Sequence, residues 1–299
     1  MIEKIKVLEN LKKIDDEFTD YMDNYDITIE NTEKLKIFSQ DNFKQEKKAV
    51  LGLDIYKYSS YDTERQNLIP FVFDIIKDEA TRLVKSVEKT FFPFEYKNNF
   101  ISTGDGGFMI FETPLHALIF NLHFYSTLQL FNTGHFFPKL SQYIGELIIR
   151  SAITYDNIYY YDRNYYGKAI ITNARILSKD KLNRFLVDKN FHDYFIRHFN
   201  GIETLSILTI DNVKKVLKLN ENIISWFIYK DENTQKSHFS IDDRIRNIHV
   251  QKIEDLFEKE AQLIIYNIEI QILVEIIGFK DPNKKTVYIM SIGNTNAIR

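Results

Sequence analysis

Four residues, Gly104-Asp105-Gly106-Gly107, constrain this chain more than any other stretch. Glycine tolerates the positive φ angles of a tight hairpin turn, and residues 94–103 and 107–111 on either side read as two strands. The pattern predicts a β-hairpin with an aspartate at its tip. Upstream, Ala49-Val50-Leu51-Gly52-Leu53-Asp54-Ile55 is a short apolar run with one acid near its end, which reads as a buried strand. Asp62 is placed to cap a helix with Leu68, Phe71, Val72, Ile75 and Ile76 on one face, ending near Glu88. Pro114 suits the first turn of a further helix carrying Leu115, Leu118, Ile119 and Leu122. Leu147–Thr154 reads as a strand, the tyrosine-rich stretch 159–166 as a loop and Ala169–Ser178 as a helix, with a short strand and helix following by about residue 198. This order implies an α/β (α+β sandwich) fold, a mainly antiparallel sheet with helices on one face.

The ends read differently. Ile5, Leu8, Leu11, Ile14 and Phe18 recur at helical spacing, so residues 1–23 are expected to be helical and to pack on the core or on a second subunit. Residues 24–47 are polar and read as a connector. Beyond residue 200, Ile210–Leu219 and Ile253–Lys259 read as short helices, and residues 263–277 and 286–292 as two strands joined by Lys280-Asp281-Pro282-Asn283-Lys284-Lys285, which is turn chemistry. The expected units are an N-terminal helical segment 1–45, a central domain 46–200 and a C-terminal extension 201–299 with a β-hairpin.

Composition narrows the function. A net charge of -3 argues against a nucleic-acid binder, which usually carries a basic excess. With no cysteine there are no disulfides, thiolate metal sites or catalytic thiols, and a cytoplasmic location fits. The most apolar stretch, 263–279, is interrupted by Asn267, Glu269, Gln271 and Glu275, so no membrane insertion is expected. The 7 histidines lack metal-ligand spacing; His116 and His123 read as packed or exposed helix residues. Lys284 and Lys285 read as solvated turn residues, and no phosphate-loop motif is present.

Asp54 and Asp105 are the acids that carry chemistry. With the hairpin beside the first strand, both carboxylates converge at one end of the sheet, where they repel unless a cation sits between them. Hard oxygen ligands suit Mg²⁺ or Mn²⁺, completed by water and substrate phosphates. Each acid taken alone also has a plain structural reading, as a strand-end or turn residue.

Three segments together resemble the class III nucleotidyl cyclases, the catalytic-domain family of adenylate and guanylate cyclases. They are Leu53-Asp54-Ile55-Tyr56-Lys57-Tyr58-Ser59, Ser102-Thr103-Gly104-Asp105-Gly106-Gly107-Phe108, and Tyr166-Gly167-Lys168-Ala169-Ile170-Ile171-Thr172-Asn173-Ala174-Arg175-Ile176-Leu177. Ile149-Arg150-Ser151-Ala152-Ile153 falls where the family has an arginine-containing strand. The resemblance covers residues 46–197. It implies that Asp54 and Asp105, with the Ile55 carbonyl, hold two Mn²⁺ or Mg²⁺ ions, and that Arg175 stabilises charge at the α-phosphate. It also implies a homodimer whose active sites lie at the interface and whose substrate is a nucleoside triphosphate.

The departures from the family pattern point to the base. The purine-reading lysine of the family falls on Ile101, and its second base-reading position on Asn164. A purine edge would be poorly satisfied there. In this the chain is most similar to the bacterial cyclases that make cyclic UMP or cyclic CMP in antiphage signalling, and the resemblance implies UTP, less readily CTP, as substrate. Tyr56, Tyr58, Ser59 and Asn164 are candidate substrate contacts by position. The ribose-orienting asparagine falls on Ile171; Thr172 lies nearer the face of Arg175 and is the candidate hydroxyl, whereas Asn173 is about 200° from that position around a helix. The competing expectations are an adenylate cyclase with an atypical base pocket and a degenerate cyclase-fold module that only binds nucleotide.

Overall fold

The computed structural model describes residues 6–7, 9–13, 29–91, 99–180, 184–198, 207–208, 225–228, 238–242, 245–258, 261–277 and 285–293. The elements run α1 (Ile29–Asn42), β1 (Glu46–Ile55), α2 (Thr63–Phe91), β2 (Asn99–Ser102), β3 (Gly106–Phe111), α3 (Pro114–Asn132), α4 (Pro138–Ile144), β4 (Ile149–Tyr161), β5 (Asn164–Gly167), α5 (Lys168–Lys179), β6 (Phe185–Asp188) and α6 (Lys189–His198). Six further strands follow: β7 (Ile207–Leu208), β8 (Ser225–Ile228), β9 (His238–Asp242), β10 (Ile245–Glu258), β11 (Ala261–Ile277) and β12 (Lys285–Ile292). All belong to one sheet with the path β2-β3-β1-β4-β6-β11-β10-β7. Its pairings are antiparallel except β4 with β6. The fold is mixed α/β, as expected from the order of elements, and the strands after residue 200 extend the central sheet through β6 and β11.

Alternation along β1 sorts the helices. Ala49, Leu51, Leu53 and Ile55 join one core cluster with residues of α2 and α3. Gly52 points the other way, where a Cβ would lie 2.0 Å from Asn173 Oδ1 of α5. Ala152 of β4 packs with Ile176 and Leu177 of the same helix. Helices α2 and α3 therefore cover one face, and α5 covers the opposite face of β1 and β4. The expected single covered face holds for α2 and α3 but not for α5, whose inward stripe of Ala169, Thr172, Asn173, Ile176 and Leu177 needs a surface of its own. Asn173 fastens it, donating to the Val50 carbonyl at 2.8 Å, the Ala152 carbonyl at 2.9 Å and Thr154 Oγ1 at 3.3 Å.

Other differences have local causes. The polar stretch 24–47 contains α1, whose side chains are mostly exposed, so no apolar stripe marks it. Residues 159–166 are a hairpin, not a loop: Tyr161 pairs with Asn164 across Asp162 and Arg163, both at positive φ. That turn usually calls for Asn-Gly, and the Asp-Arg pair hides it. The helix expected at Ile253–Lys259 is replaced by the end of β10, which pairs with β11 over most of its length. Short apolar runs do not distinguish the two states by periodicity. Residues 6–7 and 9–13 are helical as expected; the rest of the 1–23 helix, residues 94–98 of the second predicted strand and the 210–219 helix lie outside the described residues. The 263–277 and 286–292 strands are present as β11 and β12. Among the described residues, no helix is long and apolar enough to cross a membrane.

Helix α3 is buried nearly all round, as a helix without a polar face must be. Thr113 caps it and Pro114 opens it. Its Tyr125 hydroxyl donates to the Ile149 carbonyl at 2.6 Å, anchoring the start of β4. His116 and His123 are buried in this helix at 2% and 1% exposure, so packing rather than solvent is their environment. Burial holds the His123 ring down at about 3 and His116 at about 4. The unfolded chain takes up protons near pH 6.5 that the folded chain refuses, so the stability these neutral rings allow is present above pH 6.5 and lost as pH falls. Asp188, which receives the Phe191 and Tyr155 N–H groups, acts the other way. Burial raises it to about 7, so its contribution is full at low pH and lost as pH rises from the usual carboxylate value through about 7.

At pH 5 each buried histidine should cost about 2 kcal/mol relative to pH 7.5. In His123→Phe, the loss of unfolding free energy between pH 7.5 and pH 5, measured by urea titration, should shrink by about that amount. An unchanged loss would exclude His123 as a source of acid sensitivity.

Candidate active site

Strand β1 lies between β3 and β4, and its C-terminal end is set by both. Asp54 pairs with Gly106 on one side and Arg150 on the other. The hairpin tip closes onto β1 where the Ile55 N–H donates to the Asp105 carbonyl at 2.9 Å. This approach requires glycine: a Cβ on Gly106, at φ +157, would lie 2.1 Å from the Leu53 carbonyl oxygen. Asp54, near the end of β1, and Asp105, in the tip of the adjoining β2–β3 hairpin, thus stand at one end of the sheet.

Their electrostatics reflect that proximity. Partial burial raises the Asp54 carboxyl above its usual value; Arg150 opposes the rise through hydrogen bonding and charge, and the Asp105 carboxylate adds to it. Arg150 Nε donates to Asp54 Oδ2 at 2.7 Å, and Nη2 donates to the same oxygen. Asp105 Oδ1 accepts from Thr103 Oγ1 at 3.4 Å. The Tyr56 ring lies beneath two cations, with Lys57 Nζ 5.2 Å and Arg150 Cζ 5.5 Å from its centroid. The Asp54 carboxylate with that of Asp105 beside it, next to a strand-end backbone, is a hard-oxygen donor set. They fit a divalent cation. No group of three or more ligating side chains occurs among the described residues, so a cation here would rely on these two acids, backbone oxygens such as Ile55 O, and ligand oxygens.

The other candidate residues divide. Tyr58 has a structural task. Pro70 sits inside α2 and has no N–H for the Gln66 carbonyl four residues back. The Tyr58 hydroxyl donates to that carbonyl at 2.8 Å, so it is occupied by the helix instead of facing a base. Ser59 is exposed in the 3-10 turn Tyr58–Ser60. Thr172 is buried on the inward stripe of α5, so the expected hydroxyl beside Arg175 faces the sheet. Ile171 on the same helix is 52% exposed, and Arg175 is half-buried. Asn164 starts β5, where its Oδ1 accepts from the Tyr165 N–H at 2.9 Å. It faces Tyr161 at the far end of β4 from Arg150, roughly 35 Å away along the strand. One protomer therefore does not bring Asn164 to the Asp54–Asp105 end.

Arg150 is the functional-site residue whose role the sequence did not disclose. Its signal is its place where the resembled family has an arginine-containing strand, but its pairing with Asp54 is not readable from spacing.

No protein-family model and no curated protein matches the chain. Several solved structures are similar to it. One is the catalytic core of a rhodopsin-guanylyl cyclase with converted specificity, in complex with ATPαS: 11% identity, 76% of this chain and 97% of that one covered, TM-score 0.46. Another is the adenylyl cyclase CyaB from P. aeruginosa: 10% identity, 76% and 95% covered, TM-score 0.45. A third is an adenylate/guanylate cyclase/hydrolase from Silicibacter pomeroyi: 12% identity, 75% and 97% covered, TM-score 0.42.

The Tyr58–Pro70 relation is testable as a cycle. Tyr58→Phe should cost about 1–2 kcal/mol in guanidinium unfolding, because it strands a helix carbonyl. In a Pro70→Ala background the restored N–H reclaims Gln66, and the same change should cost less than half as much. Equal costs in both backgrounds would show that the hydroxyl does not serve the proline break.

Proposed function

We propose that this chain is a pyrimidine nucleotide cyclase that converts UTP, less readily CTP, into the 3′,5′-cyclic nucleotide and pyrophosphate. The observation that carries the reading is the meeting of Asp54 and Asp105 at one strand end, within the three segments that resemble class III nucleotidyl cyclases. In the reaction, the ribose 3′-oxygen forms a bond to the α-phosphorus and loses its proton. The bond from the α-phosphorus to the bridging oxygen breaks, and pyrophosphate leaves with the electron pair. Asp54, Asp105 and the Ile55 carbonyl would hold two Mn²⁺ or Mg²⁺ ions, which would supply activation of the 3′-hydroxyl and neutralisation of the leaving group. Arg175 of the partner subunit meets the charge that develops at the α-phosphate.

The base preference follows from what lines the positions by resemblance. Ile101 pairs with Phe108 inside the β2–β3 hairpin and offers no polar group to a purine edge. Tyr56 and Asn164 remain the candidate base and ribose contacts. The distance between the Asp54 end and Asn164 supports a homodimer, because a second copy can bring the two ends together. Residues 46–200 form the catalytic unit in this reading, and a cyclic pyrimidine nucleotide would serve as a messenger in antiphage defence. Ile171, exposed where the family places its ribose asparagine, favours one competing reading, a module that binds nucleotide without turning it over.

Incubation of the pure protein with each of the four ribonucleoside triphosphates and Mn²⁺ separates these readings. Cyclic UMP is the expected product, lost in Asp54→Ala and Asp105→Ala with the fold intact by circular dichroism. Cyclic AMP would make the chain an adenylate cyclase; bound nucleotide without product would make it a binding module. Mixing Asp105→Ala with Arg175→Ala chains should restore about a quarter of wild-type activity if sites are shared across a two-fold interface. No gain on mixing would refute the shared site.

A further inference from the structure

We infer that Arg150 is a positioning residue for divalent-cation binding: it holds Asp54 by one carboxylate oxygen and ties it to the C-terminal end of helix α5. The inference rests on the proposed two-carboxylate cation site. Arg150 lies directly across from Asp54 in the β1–β4 pairing. Two of its nitrogens, Nε and Nη2, converge on Asp54 Oδ2. Its third, Nη1, donates to the Asp180 backbone carbonyl at 2.7 Å. The Tyr56 ring supports the guanidinium from one side.

The anchor at Asp180 is itself fixed. Asp180 is buried at 1% exposure and follows directly on α5. Its carboxylate accepts from Arg184 Nε and from the Arg184 N–H, both at 2.9 Å. Its own N–H donates to the Ile176 carbonyl at 3.1 Å. Arg150 is therefore held at three points, and the carboxylate it grips has little freedom to rotate. A planar guanidinium offers several donors in a fixed fork, so one side chain can serve both partners. Because both bonds to Asp54 fall on Oδ2, Oδ1 is the oxygen a cation can take. Asp105 is steadied separately through its carbonyl bond to Ile55 and its contact with Thr103.

The sign of the effect distinguishes this role from simple electrostatics. Deleting a positive charge beside a carboxylate strengthens its attraction for a cation. At a pH well above the carboxylate range, where Asp54 stays ionised without Arg150, weaker cation binding after such a deletion comes from lost positioning. Mn²⁺ alone should be titrated into the full chain, with free Mn²⁺ counted by its paramagnetic resonance signal, for wild type, Arg150→Met, Arg150→Lys and Asp54→Asn. Arg150→Met is expected to bind Mn²⁺ at least tenfold more weakly than wild type. Arg150→Lys keeps the charge but cannot reach Asp54 and Asp180 together, and should also bind more weakly; it decides the matter if Arg150→Met does not fold. Equal or tighter binding in either folded variant overturns the inference. Binding lost in Asp54→Asn yet intact in the Arg150 variants would overturn it while leaving the cation site standing. A wild-type chain that takes up no Mn²⁺, or an Asp54→Asn chain that binds as well as wild type, would overturn the cation site and the inference with it.

Discussion

The close approach of Gly106 to the Leu53 carbonyl governs the architecture of the candidate site. There is no room for a side chain at that point, and the backbone of the hairpin tip is therefore able to close onto the end of β1. The Ile55 to Asp105 hydrogen bond depends on that closure. So does the electrostatic coupling of Asp105 to Asp54, since screened charges interact strongly only at short range. Once the acids meet, the sheet must answer their repulsion, and β4 does so by placing Arg150 opposite Asp54. Turn, strand pairing and charge balance are consequences of one contact that only glycine permits.

A second set of constraints keeps the surroundings of that contact rigid. Pro70 breaks the hydrogen-bond ladder of α2, and Tyr58 repairs it from the segment that follows β1. Gln66 adds its own bond to the Tyr61 carbonyl at 2.8 Å. The chain leaving Asp54 is thereby fastened to the start of α2. On the opposite face, Asn173 secures α5 to β1 and β4 through the space left by Gly52. The acids are bracketed by two helices with unrelated fastenings, an arrangement suited to holding ligands in fixed geometry.

Much of this was legible in the residues because the signals are local. The glycine turn, the acid at the end of an apolar run, and Pro114 opening a helix each follow from the conformational limits of one or two residues, and all three are present. What was not legible depends on partners distant in sequence. Nothing in the spacing says that residue 150 pairs with residue 54, or that the Tyr58 hydroxyl is claimed by a proline-broken helix. Helix α1 was missed because an exposed polar helix leaves no apolar period. The β4–β5 hairpin was missed because Asp162 and Arg163 adopt positive φ without the glycine that usually announces it.

The separation of Asn164 from Asp54 limits how any bound nucleotide could use both. β4 is a single strand running from Arg150 to Tyr161, and its hydrogen-bonded pairing with β1 forbids folding it back on itself within one protomer. A triphosphate seated against Asp54 and Asp105 spans far less than that strand. Either Asn164 serves no ligand at that end, or it serves the ligand of a second copy. In the cyclase reading, a role for Asn164 therefore calls for a second copy, a demand set by the path of β4.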